Sequence, residues 1–299
     1  MVKVTQHKLV KRADHLLVGS FQAMASPCEL LLDTTDFALG EQVFQAFIDE
    51  VQRIEKKFSR YLPTSCISKI VLNAGVPTPI DDETYRLFSF ADQLYKLSDG
   101  MFDITSGVLN KAWKFDGQSS VPSDNDIENC LPLIGWDKVR FSKEDIWLPK
   151  EMALDLGGIG KEYAVDRAFS IIEKLCTCAF VVNLGGDLRA RGPRRDGSLW
   201  SIGIENPDHQ NNAKKIIEIS TSAIATSGIS KRFVESSGIR YGHLLNPKTG
   251  WPVHSGVQSV TIAADTCTTA GMLTSLALLS PTGAADFLNT QENILYWIT

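Results

Sequence analysis

The sequence predicts an α+β fold: a mixed, largely antiparallel sheet with helices packed around it. Two observations predict this. Strand-like runs come singly, in hairpins and between helices, without the regular β–α alternation that a doubly wound parallel sheet needs. The chain also shows no repeat of fixed period and no Pro- or Gly-rich linker, so residues 1–299 read as a single domain with room for two lobes. The residues are 43% hydrophobic and 22% charged, ordinary globular values, and the chain is long enough to bury a core without staples.

Taken in order, residues 1–18 are polar and mixed, a short strand or an arm, and 24–33 end in an apolar run that reads as a strand. Residues 44–58 place Phe44, Phe47, Ile48, Val51 and Ile54 at helical spacing, and 82–98 do the same with Tyr85, Leu87, Phe88, Ala91 and Leu94. Pro63 disfavours helix through Ser59–Tyr61, and Asp99-Gly100 stops the second helix. Residues 102–105 read as extended and 108–113 as a short helix. Residues 115–130 form a polar loop, within which 122–133 can be helical because Ser123 can cap it. A hairpin over 136–141 and 146–148 leads to a strand at 152–156. Further strands are predicted at 179–183, 200–204, 214–219, 223–232, 242–250, 258–263 and 294–297, with helices at 267–279 and 283–288.

Charge and cysteine usage exclude several classes. The net charge of −5 and pI near 5.6 give no electrostatic footprint for nucleic acid or an anionic membrane, so any anion site must be local. No apolar run is long enough to span a membrane, and the basic N-terminus lacks the uninterrupted apolar stretch and cleavage signal of a secretory leader. Cys28, Cys66, Cys130, Cys176, Cys178 and Cys267 show no C-x-x-C or zinc spacing, so they read as free thiols in a reducing compartment.

The chemistry gathers around residues 154–168, LDLGGIGKEYAVDRA. A strand-like run meets Gly157, Gly158 and Gly160, and a helical pattern follows from Lys161. Glycines let backbone approach a ligand, a helix start offers unpaired N–H groups to an anion, and Lys161 adds a full charge. It is neither a dinucleotide fingerprint nor a P-loop. A tight connection with a solvated lysine is the plainer reading of one such turn, but the same punctuation returns at LGGDLRARG. Three further groups stand beside it. Asp265, with Thr269 one turn on, reads as the N-cap of a helix or as part of an all-oxygen cation site. Residues 222–231 and 241–250 crowd hydroxyls, His243 and Asn246 at strand ends. Residues 100–113 combine Phe102, Asp103, Thr105 and Trp113 beside glycines.

Seven blocks, FSRYLPTSCISKI, GMFDITSGVLNKAW, LDLGGIGKEYAVD, VNLGGDLRARG, AIATSGISKR, HLLNPKTGWPV and ADTCTTAGMLTSLALL, lie in order over roughly residues 24–279. Together they resemble the FAD:protein FMN transferases, the ApbE family. The resemblance implies an ApbE-like fold and an Mg²⁺-dependent enzyme that splits FAD, attaches FMN to a Ser or Thr hydroxyl of an acceptor protein and releases AMP. The alternatives are an Mg²⁺-dependent FAD pyrophosphatase and an FAD-binding protein without turnover. It further implies that Asp265 and Thr269 hold Mg²⁺ with the Gly160 carbonyl, and that Met24 and Tyr61 lie near the isoalloxazine. Asp103, Asp155, Lys161, Gly185, Gly186 and Ser227 would line the nucleotide and pyrophosphate, and His243 would take the proton of the acceptor hydroxyl. Glu162 departs from the family's glycine after the lysine and is expected to point away along the helix surface. Asn246 departs from its aspartate. The tail after Leu279 matches poorly, and with no leader the chain is expected to act in the cytoplasm.

Overall fold

The computed structural model describes residues 7–13, 15–115, 120–206, 209–228, 233–236, 238–253, 256–280 and 282–299. The chain opens with β1 (Lys8–Ala13), β2 (Leu16–Ala23) and β3 (Ser26–Asp33), followed by α1 (Phe37–Phe58), α2 (Cys66–Leu72), β4 (Thr78–Pro79) and α3 (Asp82–Leu97). A 3-10 segment, Ile104–Lys111, precedes α4 (Asp124–Cys130) and the short strands β5 (Arg140–Phe141) and β6 (Asp145–Trp147). Then come α5 (Gly160–Leu175), β7 (Phe180–Leu184), β8 (Asp187–Arg191), β9 (Trp200–Asn206), β10 (His209–Ile219) and β11 (Ser222–Gly228). The chain closes with β12 (Phe233–Ser236), β13 (Ile239–Gly242), β14 (Ser259–Ala264), α6 (Cys267–Leu279), α7 (Ala284–Leu288) and β15 (Leu295–Ile298).

Eight strands form the main sheet in the order β1-β2-β3-β7-β8-β11-β14-β15, and each neighbouring pair is antiparallel. The largely antiparallel α+β expectation therefore holds. Each face finds a cover, as a sheet with apolar residues on both sides must. On one face α1 lays down Val43, Phe47, Val51 and Ile54, all fully buried, and α5 and α6 pack beside it. Gly19 permits that approach, because a Cβ there would lie 2.4 Å from the Phe44 ring. On the other face the β9–β10 hairpin sets Trp200, Ile204, Ile217 and Ile219 over Val181, Leu188, Ala190 and Ile224. A separate apolar cluster joins Val108, Leu109, Trp113 and Ile127 to Tyr241, Leu245 and Trp251.

Several sequence expectations need correction. Residues 152–156 form no strand. Met152, Leu154 and Leu156 are buried while Ala153 and Asp155 are half-exposed, so the alternation is real, but the run crosses the 3-10 segment instead of joining a ladder. It is tied there by the Asp155 N–H donating to the Ile104 carbonyl at 2.8 Å. The strand expected at 242–250 ends at Gly242, and a turn from Asn246 to Gly250 follows, closed by a Leu245–Pro252 bridge. The helix expected from residue 44 starts at Phe37, because Asp36 caps it by accepting from the Leu39 N–H. Expected turns over 229–232, and residues 116–119 of the polar loop, lie outside the described residues.

Candidate functional site

Two tight hairpins and the head of one helix meet at an end of the main sheet. The β2–β3 turn places Met24 and Ala25 at φ 51° and 55°, the left-handed conformation a two-residue hairpin demands. The Glu55 carboxylate of α1 secures it by accepting from the Met24 N–H at 2.7 Å. The β7–β8 turn is Gly185-Gly186, at φ 66° and 103°. Gly185 donates to the Pro27 carbonyl at 2.8 Å, and a Cβ on it would lie 2.8 Å from the Ser26 hydroxyl, so the two hairpins fit side by side only with glycine there. Gly160 opens α5 within reach of the same place, 3.7 Å from its notional Cβ to the Met24 methyl.

Lys161, in the first turn of α5, pairs with Asp187, the residue after the glycine turn. Asp187 is 3% exposed at its side chain and also accepts from the Thr226 N–H at 3.3 Å. Burial works to lower the Lys161 pKa, but the Asp187 and Glu162 carboxylates outweigh it, so the lysine sits above its ordinary value and stays cationic. Ion pair, helix start and glycine backbone together make a place suited to an anion.

Glu162 corrects the expectation that it points along the surface. It is 6% exposed and turned into the crevice between α5 and α6, against Gly271. Its Oε2 is buried without a hydrogen-bond partner among the described residues. Burial first, and the Asp187 carboxylate second, push its pKa up to about 8.

A second group stands at the glycine turn. Asp155 Oδ1 accepts from the Gly157 N–H at 2.8 Å, and its Oδ2 faces Arg60 Nε at 3.2 Å. Arg60 lies over the Tyr61 ring with 4.5 Å from its guanidinium carbon to the centroid, bonds the Tyr61 hydroxyl and donates to Asn110 at 3.2 Å. Tyr61 itself is 77% exposed, a flat aromatic surface on a braced support. A Cβ at Gly107 would lie 2.7 Å from Asp155 Cβ, so glycine admits this contact. His243 lies beyond, exposed, with its ring edge-on to Phe115 at 6.4 Å, and Phe115 stacks on Trp113.

The remaining expected residues have other attachments. Asp103 is buried and caps the 3-10 segment, accepting from the Thr105 N–H and hydroxyl and from the Trp136 N–H. Its pKa is raised by burial against those bonds. It also lines a shallow cleft of about 490 Å³ with Tyr95, Asp99, Gly135 and Lys248, to which Lys161 and Glu162 do not contribute. Ser227 shares a hydrogen bond of 2.8 Å with the Thr274 hydroxyl. Asn246 performs the turn role of an aspartate, its Oδ1 accepting from the Lys248 N–H at 2.8 Å.

Asp265 is not the N-cap of α6. The N-cap of α6 is Thr266, which accepts from the Thr269 N–H, and the two threonine hydroxyls bond at 2.7 Å. Asp265 is exposed and makes no hydrogen bond or ion pair among the described residues. The head of α6 is gripped by Asp166, which accepts from the Cys267 N–H, the Thr268 N–H and the Thr268 hydroxyl, and pairs with Arg189 at 2.9 Å. Asp166 is six residues down α5 from Gly160, about 9 Å along the axis. No group of three His, Cys, Asp or Glu side chains that could hold a metal occurs among the described residues.

Sequence reasoning missed Glu55, Arg60, Asp166 and Asp187. Asp187 had a signal, since it follows the paired glycines directly; the other three act across long sequence distances.

The family model for the ApbE family matches residues 24–298. Among curated relatives, a FAD:protein FMN transferase of Haemophilus influenzae is 27% identical over 295 residues, covering 94% of this chain and 85% of the relative. One of Vibrio cholerae is 30% identical over 249 residues, covering 80% and 74%. Among solved structures, the ApbE protein of Thermotoga maritima superposes with a TM-score of 0.84 at 30% identity, covering 98% of this chain and 94% of that one. The Pseudomonas stutzeri flavinyl transferase ApbE superposes at 0.79 and 26% identity, covering 100% and 92%. The match runs through the tail after Leu279 that the motifs left unmatched, and with hairpins, glycine turn and lysine standing together on this sheet, the chain belongs to the ApbE family.

Proposed function

We propose that this protein moves FMN from FAD onto a Ser or Thr hydroxyl of an acceptor protein and releases AMP, with Mg²⁺ required. The observation that carries the reading is Lys161, a cation held by buried Asp187 at the first turn of a helix whose preceding turn is glycine. A pyrophosphate is the substrate group that such a place suits best. In the transfer, the acceptor oxygen bonds to the FMN phosphorus, the bond from that phosphorus to the bridging oxygen breaks, and AMP leaves with that oxygen. His243 is the proposed acceptor of the hydroxyl proton, being an exposed imidazole set against Phe115. Tyr61 and Met24 are the proposed neighbours of the isoalloxazine, and the exposed ring of Tyr61 supports this. Gly185, Gly186, Asp155, Ser227 and Asp103 follow the resemblance as neighbours of the nucleotide, the last two through backbone and shape, since their side chains are already bonded.

When bound, Mg²⁺ would supply positive charge that offsets the charge developing on the transferred phosphate. The donors proposed for it, the Gly160 carbonyl, a carboxylate and a hydroxyl, are hard oxygens that fit it. The resemblance assigns the carboxylate to Asp265, together with Thr269. No described helix is long and apolar enough to cross a membrane. The six free cysteines support a reducing, cytoplasmic setting for the reaction.

The test is incubation with FAD, Mg²⁺ and an acceptor carrying a flavinylation site. AMP together with fluorescent flavin that survives denaturation on the acceptor supports transfer. AMP with free FMN alone identifies a pyrophosphatase, and unchanged bound FAD identifies a binding protein.

A further inference from the structure

We propose that Cys176 and Cys178 form a reversible dithiol–disulfide site, oxidised by small peroxides, where α5 ends and β7 begins. The site stands apart from the proposed transfer chemistry. Cys176 caps the far end of the helix that Lys161 opens, about 22 Å along the axis.

The first observation is contact. Cys178 Sγ donates to Cys176 Sγ at 3.0 Å. Cys176 has left the helix for extended backbone, at φ −141° and ψ 155°, where residues two apart share a face. A bond between the sulfurs needs an approach of about 1 Å, within reach of small side-chain rotations. The second is the setting. Carbonyls at a helix C-terminus ordinarily oppose a negative charge beside them. Here the Arg191 guanidinium of β8 covers two of them, donating to the Cys176 carbonyl at 3.1 Å and the Glu173 carbonyl at 3.5 Å. The hydrogen bond from Cys178 outweighs burial and, with the Arg191 charge, brings the Cys176 thiol down to about 7. Giving that bond holds the Cys178 thiol above its ordinary value. One sulfur is poised as a thiolate and its neighbour keeps a proton, the division between an attacking and a resolving thiol. The third is contrast. Cys28, Cys130 and Cys267 donate singly to backbone carbonyls, and Cys66 contacts the Thr84 hydroxyl. Burial raises the pKa of each. Those four pack as small apolar side chains.

The oxidation balances with hydrogen peroxide. The Cys176 thiolate attacks one peroxide oxygen, the O–O bond breaks, and hydroxide leaves and takes a proton from solvent. Cys176 then carries a sulfenic acid. Cys178 Sγ attacks Cys176 Sγ, the S–O bond breaks, and the Cys178 proton leaves with that oxygen as water. The dithiol has given two electrons to the peroxide. A dithiol reductant reverses the step by exchange, its own thiols becoming the disulfide.

The test treats the full chain with hydrogen peroxide near neutral pH, blocks the remaining thiols after denaturation and maps disulfides by mass spectrometry. The wild type should lose two of its six free thiols to one Cys176–Cys178 bridge within the chain, and dithiothreitol should return both. Cys178→Ser keeps a hydrogen-bond donor but removes the resolving sulfur, so dimedone should label Cys176 as sulfenic acid at least about tenfold more than in the wild type. Cys176→Ser should form no bridge, and its Cys178 should take up dimedone at least about tenfold less than Cys176 does in Cys178→Ser. A wild type that keeps all its thiols, bridges another pair or bridges only between two chains overturns the site, as does Cys176→Ser that still loses two thiols. The wild-type map decides without any variant, and thermal melting shows which substituted chains stay folded. AMP release is not read, so the outcome is independent of the transferase reading.

Discussion

Helix α5 carries two charged clusters on adjacent residues, and they are built on opposite terms. Tyr163 donates to Glu83 at 2.8 Å and so joins a closed network. There Arg53 bridges Glu50 and Glu83 at 2.8 and 2.7 Å, Lys57 bridges Asp81 and Glu83 at 2.6 Å, and Arg167 reaches Glu50 at 3.2 Å. Hydrogen bonding to Arg53 holds Glu50 below its ordinary pKa and brings Glu83 down to about 2. One residue earlier, a rotation of about 100° turns Glu162 into the other cluster. There Lys161 answers Asp187, Arg189 answers Asp166, and Glu162 has no partner for Oε2 among the described residues. A closed network serves the fold. A buried acid oxygen without a partner costs stability, and the cost grows as the group ionises.

The comparison breaks most visibly at Lys161. Lys161→Met strands Asp187, leaving one long backbone bond to an almost wholly buried charge. Unfolding in urea should show a loss of about 3–5 kcal/mol. Adding Asp187→Asn should recover most of that stability. AMP release should stay at least about tenfold down in both variants, because the charge proposed to face the pyrophosphate is gone. Activity that returned with stability in the double variant would reduce Lys161 to a structural cation.

Glu83→Gln should cost about 1–3 kcal/mol at neutral pH and leave flavin transfer within about twofold. Its folded pKa of about 2 lies below the ordinary 4.5, so the stability it contributes is present above 4.5 and lost as pH falls toward 2. Melting curves of wild type and variant should therefore differ at neutral pH and converge in acid. A constant gap across that range would show that shape, not charge, is what the network loses.

Glu162→Gln should have the opposite sign. Its folded pKa of about 8 lies above the ordinary 4.5, so the wild type loses stability as pH rises between those values, while below 4.5 the acid is neutral in both folded and unfolded chains. In a chelator the variant should be more stable by about 1–3 kcal/mol at pH near 8, the cost of an unsatisfied buried group, with no gain in acid. A variant less stable than wild type at every pH would make Glu162 an ordinary packing residue.

What the sequence revealed, and what it hid, follows the range of the interactions. The apolar spacing of Phe44, Phe47, Val51 and Ile54 exposed α1, and the glycines of 157–160 exposed the head of α5, because both signals are local. The alternation of Met152, Leu154 and Leu156 misled, since burial on one side of an extended run looks the same with or without a ladder beside it. The grips of Asp166 on α6, Glu55 on the Met24 turn and Arg60 on Asp155 join residues far apart in sequence, which no periodicity encodes. Glu162 shows the limit best. A charged residue after a lysine reads as solvated, and only Gly271, more than a hundred residues later, shows that a place was made for it inside.

Asp265→Asn carries the smallest expected effect on stability and sharpens the contrast from its other side. Position in a motif makes Asp265 look like a capping or metal-binding carboxylate, but Thr266 performs the capping and Asp166 secures the helix head. An exposed side chain without a partner among the described residues has little to lose, so urea unfolding should shift by less than about 0.5 kcal/mol. The Mg²⁺ dependence of AMP release tests the ligand role that the resemblance assigns to Asp265, and its midpoint should rise about tenfold or more. A wild-type midpoint, with stability unchanged, would leave Asp265 an exposed carboxylate ahead of the Thr266 cap and no ligand of the cation.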